Sequence, residues 1–386
     1  MISATDLGTR YPTKPLGELV EFLDHLRKPV TASEREPGPY PYYGANGKQD
    51  SVAGYLFDEP LILVAEDGGF FGDPQKTIAY RVNGKCWVNN HAHVLRPKPN
   101  VDIGFLCRHL EQYDVRPFTS GTTRLKLNKS QAQRIPIALP PLSEQKRIAA
   151  ILDNADALRA KRRESNEQLD SLVQATFLEM FGDPVTNPHR WEIKACDDIC
   201  TKVTDGEHGT VDRLPSGRLY LMARNITASG EIDLGDVSFI SEADHRRIFQ
   251  RCDPEKGDLL LVCVGATIGK TAIVPDMPEF SLARSVALLK PRRNLVQPVY
   301  LNQYLRSRHG QTQLLHSRNT AAQSGLYLGK MKAMSIPLPP LDLQTRFASI
   351  VESIEQQKAR LKAHLAELDT LFASLQSRAF NGELVA

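Results

Sequence analysis

The segment Val264-Gly-Ala-Thr-Ile-Gly-Lys-Thr271 carries the Gly-Lys-Thr ending of a phosphate-binding loop, in which backbone N–H groups and a lysine cradle the phosphates. That chemistry needs a glycine five residues ahead of the second one; Val264 stands there and Gly265 comes one residue late, so the segment reads as a turn between strands. His91-Ala-His93 sets two imidazoles on one face of a strand, yet no neighbouring Cys or carboxylate completes a metal set, and no metal is expected. Asn89-Asn90-His91 reads instead as hydrogen-bonding groups on a surface strand. Glu192-Ile-Lys194 with Asp183 has the residue types of a nuclease site at too loose a spacing, and Trp191-Glu-Ile-Lys194 reads as entry into a strand. The glycine-rich dinucleotide fingerprint, the Gly-x-Ser-x-Gly elbow and the Asn-Pro-Pro-aromatic element of adenine methyltransferases are missing; Asn187-Pro188 is followed by His189. No catalytic residue is expected in this chain.

The chemistry that remains is recognition of a polyanion. Residues 74–101 hold Lys76, Arg81, Lys85, Arg96 and Lys98 without an acid, and residues 115–143 hold Arg116, Arg124, Lys126, Lys129 and Arg134 without one. The window 280–341 adds Arg284, Lys290, Arg292, Arg293, Arg306, Arg308, Arg318, Lys330 and Lys332, again acid-free. A formal charge of only +3 thus conceals local positive windows, recurring at comparable places in both halves of the chain, which favours nucleic acid over a solvated basic face. Arg and Lys suit guanine, Asn and Gln suit adenine, and hydroxyls suit phosphate or either base. On that ground the expected DNA-binding residues of the first half are Asn46, Lys48, Gln49, Asn89, Asn90, His91, Thr119, Ser120, Thr122, Thr123, Arg124 and Lys126. In the second half they are Asp205, His208, Arg224, Asn225, Thr267, Lys270, Arg284, Arg318, Asn319 and Gln323.

The elements that must position these groups are repeated. Leu139 to Phe181 recurs as Leu338 to Phe380, displaced by 199 residues without a gap, with Gln145/Gln344, Arg147/Arg346, Ile151/Ile350, Leu169/Leu368, Asp170/Asp369 and Leu172/Leu371 identical. Two copies of this period cannot form a solenoid and imply one molecule with internal pseudo-two-fold symmetry. Each copy opens Leu-Pro-Pro-Leu, where the prolines forbid helix and Ser143 or Asp342 can cap one. Helices are expected over about 143–180 and 342–379, on the order of 55 Å each, ending at Gly182 and Gly382. Apolar stripes that include Ile148, Ile151, Leu158, Leu169 and Leu172 on one helix, and Phe347, Ile350, Ile354, Leu361, Leu368 and Leu371 on the other, are expected to pair antiparallel.

The globular regions read as mixed α and β, with buried-strand runs at Pro60–Ala65 and Asp258–Val264 and turn-rich loops at Tyr40–Gly47 and Val203–Gly209. The domain plan is 1–138, a first globular domain; 139–184, a central helix and linker; 185–337, a second globular domain; and 338–386, a C-terminal helix. At 386 residues and 41% hydrophobic content both domains can have proper cores. Six scattered cysteines, Cys86, Cys107, Cys196, Cys200, Cys252 and Cys263, read as reduced core thiols. No apolar run approaches a membrane span, and a cytoplasmic location is expected.

These features together resemble the specificity subunits of type I restriction-modification systems. The resemblance rests on the two Leu-Pro-Pro-Leu-x-x-Gln-x-Arg helix starts, the Phe181-Gly-Asp-Pro184 linker and the terminal Ala379-Phe-Asn-Gly-Glu-Leu384, and covers essentially the whole chain. Tyr43-Gly-Ala-Asn-Gly47, Trp87-Val-Asn-Asn-His-Ala-His93 and Val264-Gly-Ala-Thr-Ile-Gly269 also look like elements of the family's recognition domains. The fold implied is mixed α/β, two α/β target-recognition domains alternating with two long helices packed as an antiparallel coiled coil. Each domain would read one half of a split, asymmetric double-stranded DNA target. The resemblance further implies two methyltransferase subunits as partners, carrying S-adenosylmethionine, and restriction subunits that bring ATP and Mg for motor-driven cleavage; this chain itself would hold no cofactor. A free-standing DNA-binding regulator and a long-helix protein scaffold are the alternatives. A regulator gains two-fold symmetry by pairing with itself, whereas here unlike halves are fused. A scaffold does not account for the acid-free windows.

Overall fold

A computed structural model describes residues 11–73, 76–316 and 326–384 of the chain. It divides into two units, Met1–Glu164 with Lys362–Ala386 and Ser165–Leu361, each built from one globular region and opposite halves of the two long helices. Arg318, Asn319 and Gln323 lie outside the described residues. Among the described residues no helix is long and apolar enough to cross a membrane, and all six cysteines are buried and free.

In unit one the run Leu61-Ile-Leu-Val-Ala65 is a strand buried along its whole length, because both faces are covered and every side chain must be apolar. It lies between Ala92–Pro97 and Ala79–Val82, and Val20–Phe22 completes a four-stranded sheet beyond Ala92–Pro97. A second sheet orders Gly47–Val52, Pro37–Gly44, Lys85–Val88 and Phe57–Asp58, with Pro37–Gly44 parallel to Lys85–Val88. Unit two repeats this plan with other residues. Leu259–Val262 lies between Val286–Pro291 and Thr271–Ile273, with Cys200–Asp205 beyond Val286–Pro291. Its second sheet again contains one parallel pair, Arg218–Leu221 with Phe280–Leu282.

The helices run Leu142–Phe181 and Leu341–Phe380. Each begins one residue before the expected caps, so Ser143 and Asp342 lie inside the first turn; in the central helix the first N–H groups are bonded to the carbonyl of Pro141. What anchors both starts is a buried glutamine. Gln145 Nε2 donates to the carbonyls of Pro140 (2.8 Å) and Asn100 (3.2 Å), and its Oε1 accepts from the N–H of Asp102 (2.8 Å), the N-cap of helix Ile103–Glu111. Gln344 donates to Pro339 (2.7 Å) and Leu295 (3.2 Å) and accepts from Gln297 (2.8 Å), the N-cap of helix Pro298–Arg306. One side chain thus satisfies three backbone groups that burial would otherwise leave orphaned.

Within each unit the helix halves run antiparallel, and equivalent ion pairs hold the register. Arg159 Nε donates to Asp369 (2.6 Å) in unit one, and Lys358 Nζ to Asp170 (2.7 Å) in unit two; Asp156 and Glu355 support the two cations from one turn earlier. Buried apolar positions flanking them are Ile148, Leu152, Ala155 and Phe372 in unit one, and Val173, Phe177, Phe347 and Ile354 in unit two. Ile151, Leu169, Leu361 and Leu368 are half-buried. The expected seam is corrected at Leu158, Leu172, Ile350 and Leu371, which are 40–54% exposed. The register set by the ion pairs rotates these outward, although they share the three-and-four spacing of the buried set.

Two local readings also change. Tyr40–Gly47, expected as a loop, is mostly strand, a hairpin between Pro37–Gly44 and Gly47–Val52, because its tyrosines favour a half-buried pleated surface more than its Pro and Gly oppose it. Val203–Asp205 likewise ends a strand, with the loop beginning at Gly206.

Candidate nucleic-acid interface

At the edge of unit one where Leu61–Ala65 ends and Ala92–Pro97 begins, expected residues from three segments converge on Glu66, Asp67 and Gly68, which the sequence reading did not select. Asp67 Oδ1 lies 2.6 Å from His91 Nδ1 and accepts from Arg124 Nη2 at 2.8 Å. Lys126 Nζ is 3.1 Å from Glu66, and Asn46 Nδ2 donates to the Gly68 carbonyl at 3.0 Å. The segment bearing Arg124 is a narrow loop closed by reciprocal Ser120 and Lys126 backbone bonds (2.9 and 2.8 Å), with Ser120, Thr122, Thr123, Arg124 and Lys126 all exposed and Thr119 half-buried. Its base is pinned by Leu127, whose N–H donates to Glu66 and whose carbonyl lies 2.7 Å from Nε2 of the buried His93.

Asp24, Glu66 and His93 bring ligand atoms within 4.8 Å of one another, the residue types of a metal set. The guanidinium of Arg27 occupies that cluster, 2.7 Å from Glu66 and 3.5 Å from Asp24, while donating to the Ala92 carbonyl. An internal cation already neutralises these carboxylates, so the cluster fits a structural latch and not a metal centre.

Unit two builds a similar grouping at the corresponding edge, where Leu259–Val262 and Cys200–Asp205 end and Val286–Pro291 begins. Asp205 lies 2.7 Å from His208 Nε2 and accepts from Arg251 Nη2 at 2.7 Å. Glu207 accepts from Arg247 at 2.6 Å, and its carbonyl accepts from the N–H of Arg284 at 3.0 Å. A hydrogen bond from Gly209 holds the Glu207 carboxyl below its ordinary pKa; partial burial opposes this and Arg247 reinforces it. The turn bearing Thr267 and Lys270 adjoins Arg284, since Cys263 bonds the backbone of Ser285 and the carbonyl of Arg284. Leu326 donates to Cys263 just as Leu127 donates to Glu66.

Several expected residues are placed otherwise. Asn225 is 1% exposed, its Oδ1 taken by the Met222 N–H and its Nδ2 by the carbonyls of Asp233 and Asp236, so it has nothing to offer a base. Arg224 is exposed but ties Asp236 and Ser238 within the same loop. Asn89 is 3% exposed, in a turn and not on a surface strand; it bonds Gln49 and the N–H of His91, and so shapes the turn that presents Asn90 and His91. Lys48 and Gln49 are exposed on the hairpin strand Gly47–Val52.

The acid-free windows are not acid-free in space. Arg81 pairs with Asp153, Arg96 with Glu59 and Glu21, and Lys290 with Asp258, each acid arriving from a distant segment. Conversely, sequence reasoning passed over Arg247 and Arg251, on and just after helix Glu242–Phe249, because Glu242, Asp244 and Asp253 flank them. Arg247 lies on the helix and Arg251 in the turn after it, and their bonds to Glu207 and Asp205 bring them to this edge.

A family model for the type I restriction modification DNA specificity domain matches residues 10–170 and 224–369. A putative type I restriction enzyme specificity subunit of Haemophilus influenzae is 30% identical over 364 residues, covering 90% of this chain and 88% of the relative. The EcoBI specificity subunit of Escherichia coli is 28% identical over 301 residues, 69% of this chain and 62% of that one. Among solved structures, the S subunit of a type I restriction-modification system from M. genitalium has a TM-score of 0.60 at 16% identity, covering 97% of both chains. A chain from a study of complex assembly and conformational transition in the type I R-M system has a TM-score of 0.56 at 18% identity, over 98% of this chain and 99% of that one. These two likenesses establish the fold.

Proposed function

This chain belongs to the type I restriction modification DNA specificity family, and from that premise we propose that it reads a split, asymmetric duplex target, one half-site per unit, while partner subunits supply the chemistry. The family role is DNA recognition, and the chain is the DNA sequence-specificity component of its system. The observation that carries the finer reading is the duplicated scaffold with edges that are only partly alike: the order of the first sheet and the glutamine anchor recur, while the groups around the carboxylate at each edge differ, Lys126 and Asn46 in unit one against Arg247 and Arg284 in unit two. Equal frames bearing different donors would recognise different bases.

In this reading 1–138 and 185–337 are the recognition domains, and 139–184 with 338–386 form the spacer that sets the gap between half-sites. Two methyltransferase subunits would bring S-adenosylmethionine, restriction subunits would bring ATP-driven cleavage, and this chain would turn over no substrate. Methylome sequencing of a host with and without the gene tests this directly. A bipartite motif with an unspecified spacer should vanish on deletion; a palindromic motif, or none, would favour a regulator or scaffold instead. In the assembled complex, Arg124→Ala with Lys126→Ala should weaken binding through one half-site only, and Lys270→Ala with Arg284→Ala through the other. Each lost base contact costs about 1–3 kcal/mol at one position, whereas each lost phosphate contact lowers the salt slope by about 1. Competition against oligonucleotides altered in a single half-site separates the two.

A further inference from the structure

Resting on that half-site reading, we propose that Arg124 and Arg251 each read a guanine, and that Asp67 and Asp205 are the positioning residues that hold them in the reading pose. The two units arrive at the same composition from different segments. In unit one, Asp67, with its side chain 18% exposed, holds Arg124 (64%) and His91 (41%). In unit two, Asp205 at 13% holds Arg251 (49%) and His208 (57%). Both carboxylates sit at corresponding sheet edges and are mostly withdrawn from solvent, while the cation and the imidazole they hold are the more exposed partners.

The local backbone is shaped around these contacts. Gly68 has φ +65°, and a Cβ there would come to 3.0 Å from Arg124 Nη2, so the tip of the guanidinium packs against a backbone that glycine supplies without strain. Gly121, at φ +93°, turns the loop so tightly that a Cβ would meet the Arg124 carbonyl at 2.5 Å. In unit two the Cys252 thiol donates to the Asp205 carbonyl at 3.4 Å, which ties the strand end to the segment that carries Arg251.

The choice of base over phosphate follows from charge. An arginine already bonded to a carboxylate has little net charge left for a phosphate, and a second anion brought alongside would meet the first. A guanine edge has no net charge; its O6 and N7 need two donors in a fixed fork, which a guanidinium supplies and an ammonium does not. Each arginine gives one terminal nitrogen to its aspartate, which removes rotamer freedom before DNA arrives and so improves affinity without a new contact.

The test uses the chain assembled with its methyltransferase subunits, its target defined by methylome sequencing, and competition binding against duplexes carrying one changed base pair. Each half-site should contain a G·C pair. Arg124→Ala should erase preference for one such pair by about ten- to a hundredfold with an unchanged salt slope, and Arg251→Ala should do so in the other half-site. Arg124→Lys should lose discrimination as fully as alanine, because charge without the fork does not suffice. Asp67→Asn and Asp205→Asn should lose several-fold preference at those same positions and nowhere else. A half-site made only of A·T pairs, an equal loss on every duplex with a shallower salt slope, discrimination retained by Arg124→Lys, or aspartate variants that lower only overall affinity would each overturn the proposal. Thermal midpoints control for folding, with Arg124→Gln and Arg251→Gln replacing any alanine variant that unfolds early. A wild-type complex without sequence preference would instead sink the half-site reading itself.

Discussion

In unit one, helix Ile103–Glu111 meets the central helix through Arg108, which donates to Asp153 and Asp156 (both 2.9 Å) and to Glu111 (3.0 Å); in unit two Gln303 stands at the same place in helix Pro298–Arg306. There the join is aromatic. Phe177 stacks on Tyr300 at 5.6 Å, and Phe181 packs edge-on against Tyr300 (4.8 Å) and Phe347 (5.3 Å). Burial disfavours the Asp153 charge, but Arg81 and Arg108 outweigh it and hold its pKa below the ordinary value. One residue further on, His109 is fully buried with neither ring nitrogen bonded, whereas Tyr304 in the equivalent position donates its hydroxyl to the Ser335 carbonyl at 2.6 Å. One ring pair is kept, Phe105 with Phe380 at 5.8 Å standing where Tyr300 meets Phe181, but the side chains around it have diverged in chemistry. The glutamine that satisfies three backbone groups has not, since no apolar residue can replace a hydrogen-bonding partner for buried N–H and C=O, while many residues can fill a volume.

The largest expected effect probes that conserved element. Gln145→Leu should cost unit one about 3 kcal/mol by stranding the Asp102 N–H and the Asn100 and Pro140 carbonyls, and Gln344→Leu should cost unit two the same. Hydrogen exchange resolved by segment would place each loss; a loss in one unit and not the other would end the claim of equivalence.

Next comes pH. Burial drives the His109 pKa down to about 3 from an ordinary 6.5, so the unfolded chain takes up a proton that the folded chain refuses. Its stability contribution is full above pH 6.5 and is lost as pH falls from 6.5 toward 3, about 3 kcal/mol by pH 4.5. His109→Phe should flatten that slope in unit one whatever its effect at pH 7.5, as denaturant midpoints measured across the range would reveal. Tyr304→Phe should leave the pH slope of unit two unchanged.

The smallest effects belong to the register pairs. Asp369→Asn leaves Arg159 with Asp156, and Asp170→Asn leaves Lys358 with Glu355, so each should cost about 1 kcal/mol. A smaller loss for Asp369→Asn in thermal unfolding would show that the Arg159 guanidinium, lying 4.3 Å over Phe372, is held by that ring when its carboxylate is gone.

The long-range design was legible because it is written in local terms. A constant offset, Pro-Pro starts and three-and-four apolar spacing survive as pattern whatever the helices touch, and the continuous apolar runs at Leu61–Ala65 and Leu259–Val262 announce strands covered on both faces. The recognition edges were legible only in part. Arg124, His91, Asp205 and His208 were visible as residue types, yet Asn225 and Asn89, of equally suitable type, turned inward to satisfy loop backbone.

The sequence by itself determined two like helices, two mixed α/β regions and a family, since periodicity and punctuation act between residues a few positions apart. Only the tertiary structure decided which leucines leave the seam, that Arg81, Arg96 and Lys290 are neutralised, and that Asp67 and Asp205 each gather an arginine and a histidine. Charge and hydrogen bonding act through space, and the partners are distant in the chain: 57 residues separate Asp67 from Arg124 and 46 separate Asp205 from Arg251, distances over which no local pattern carries information.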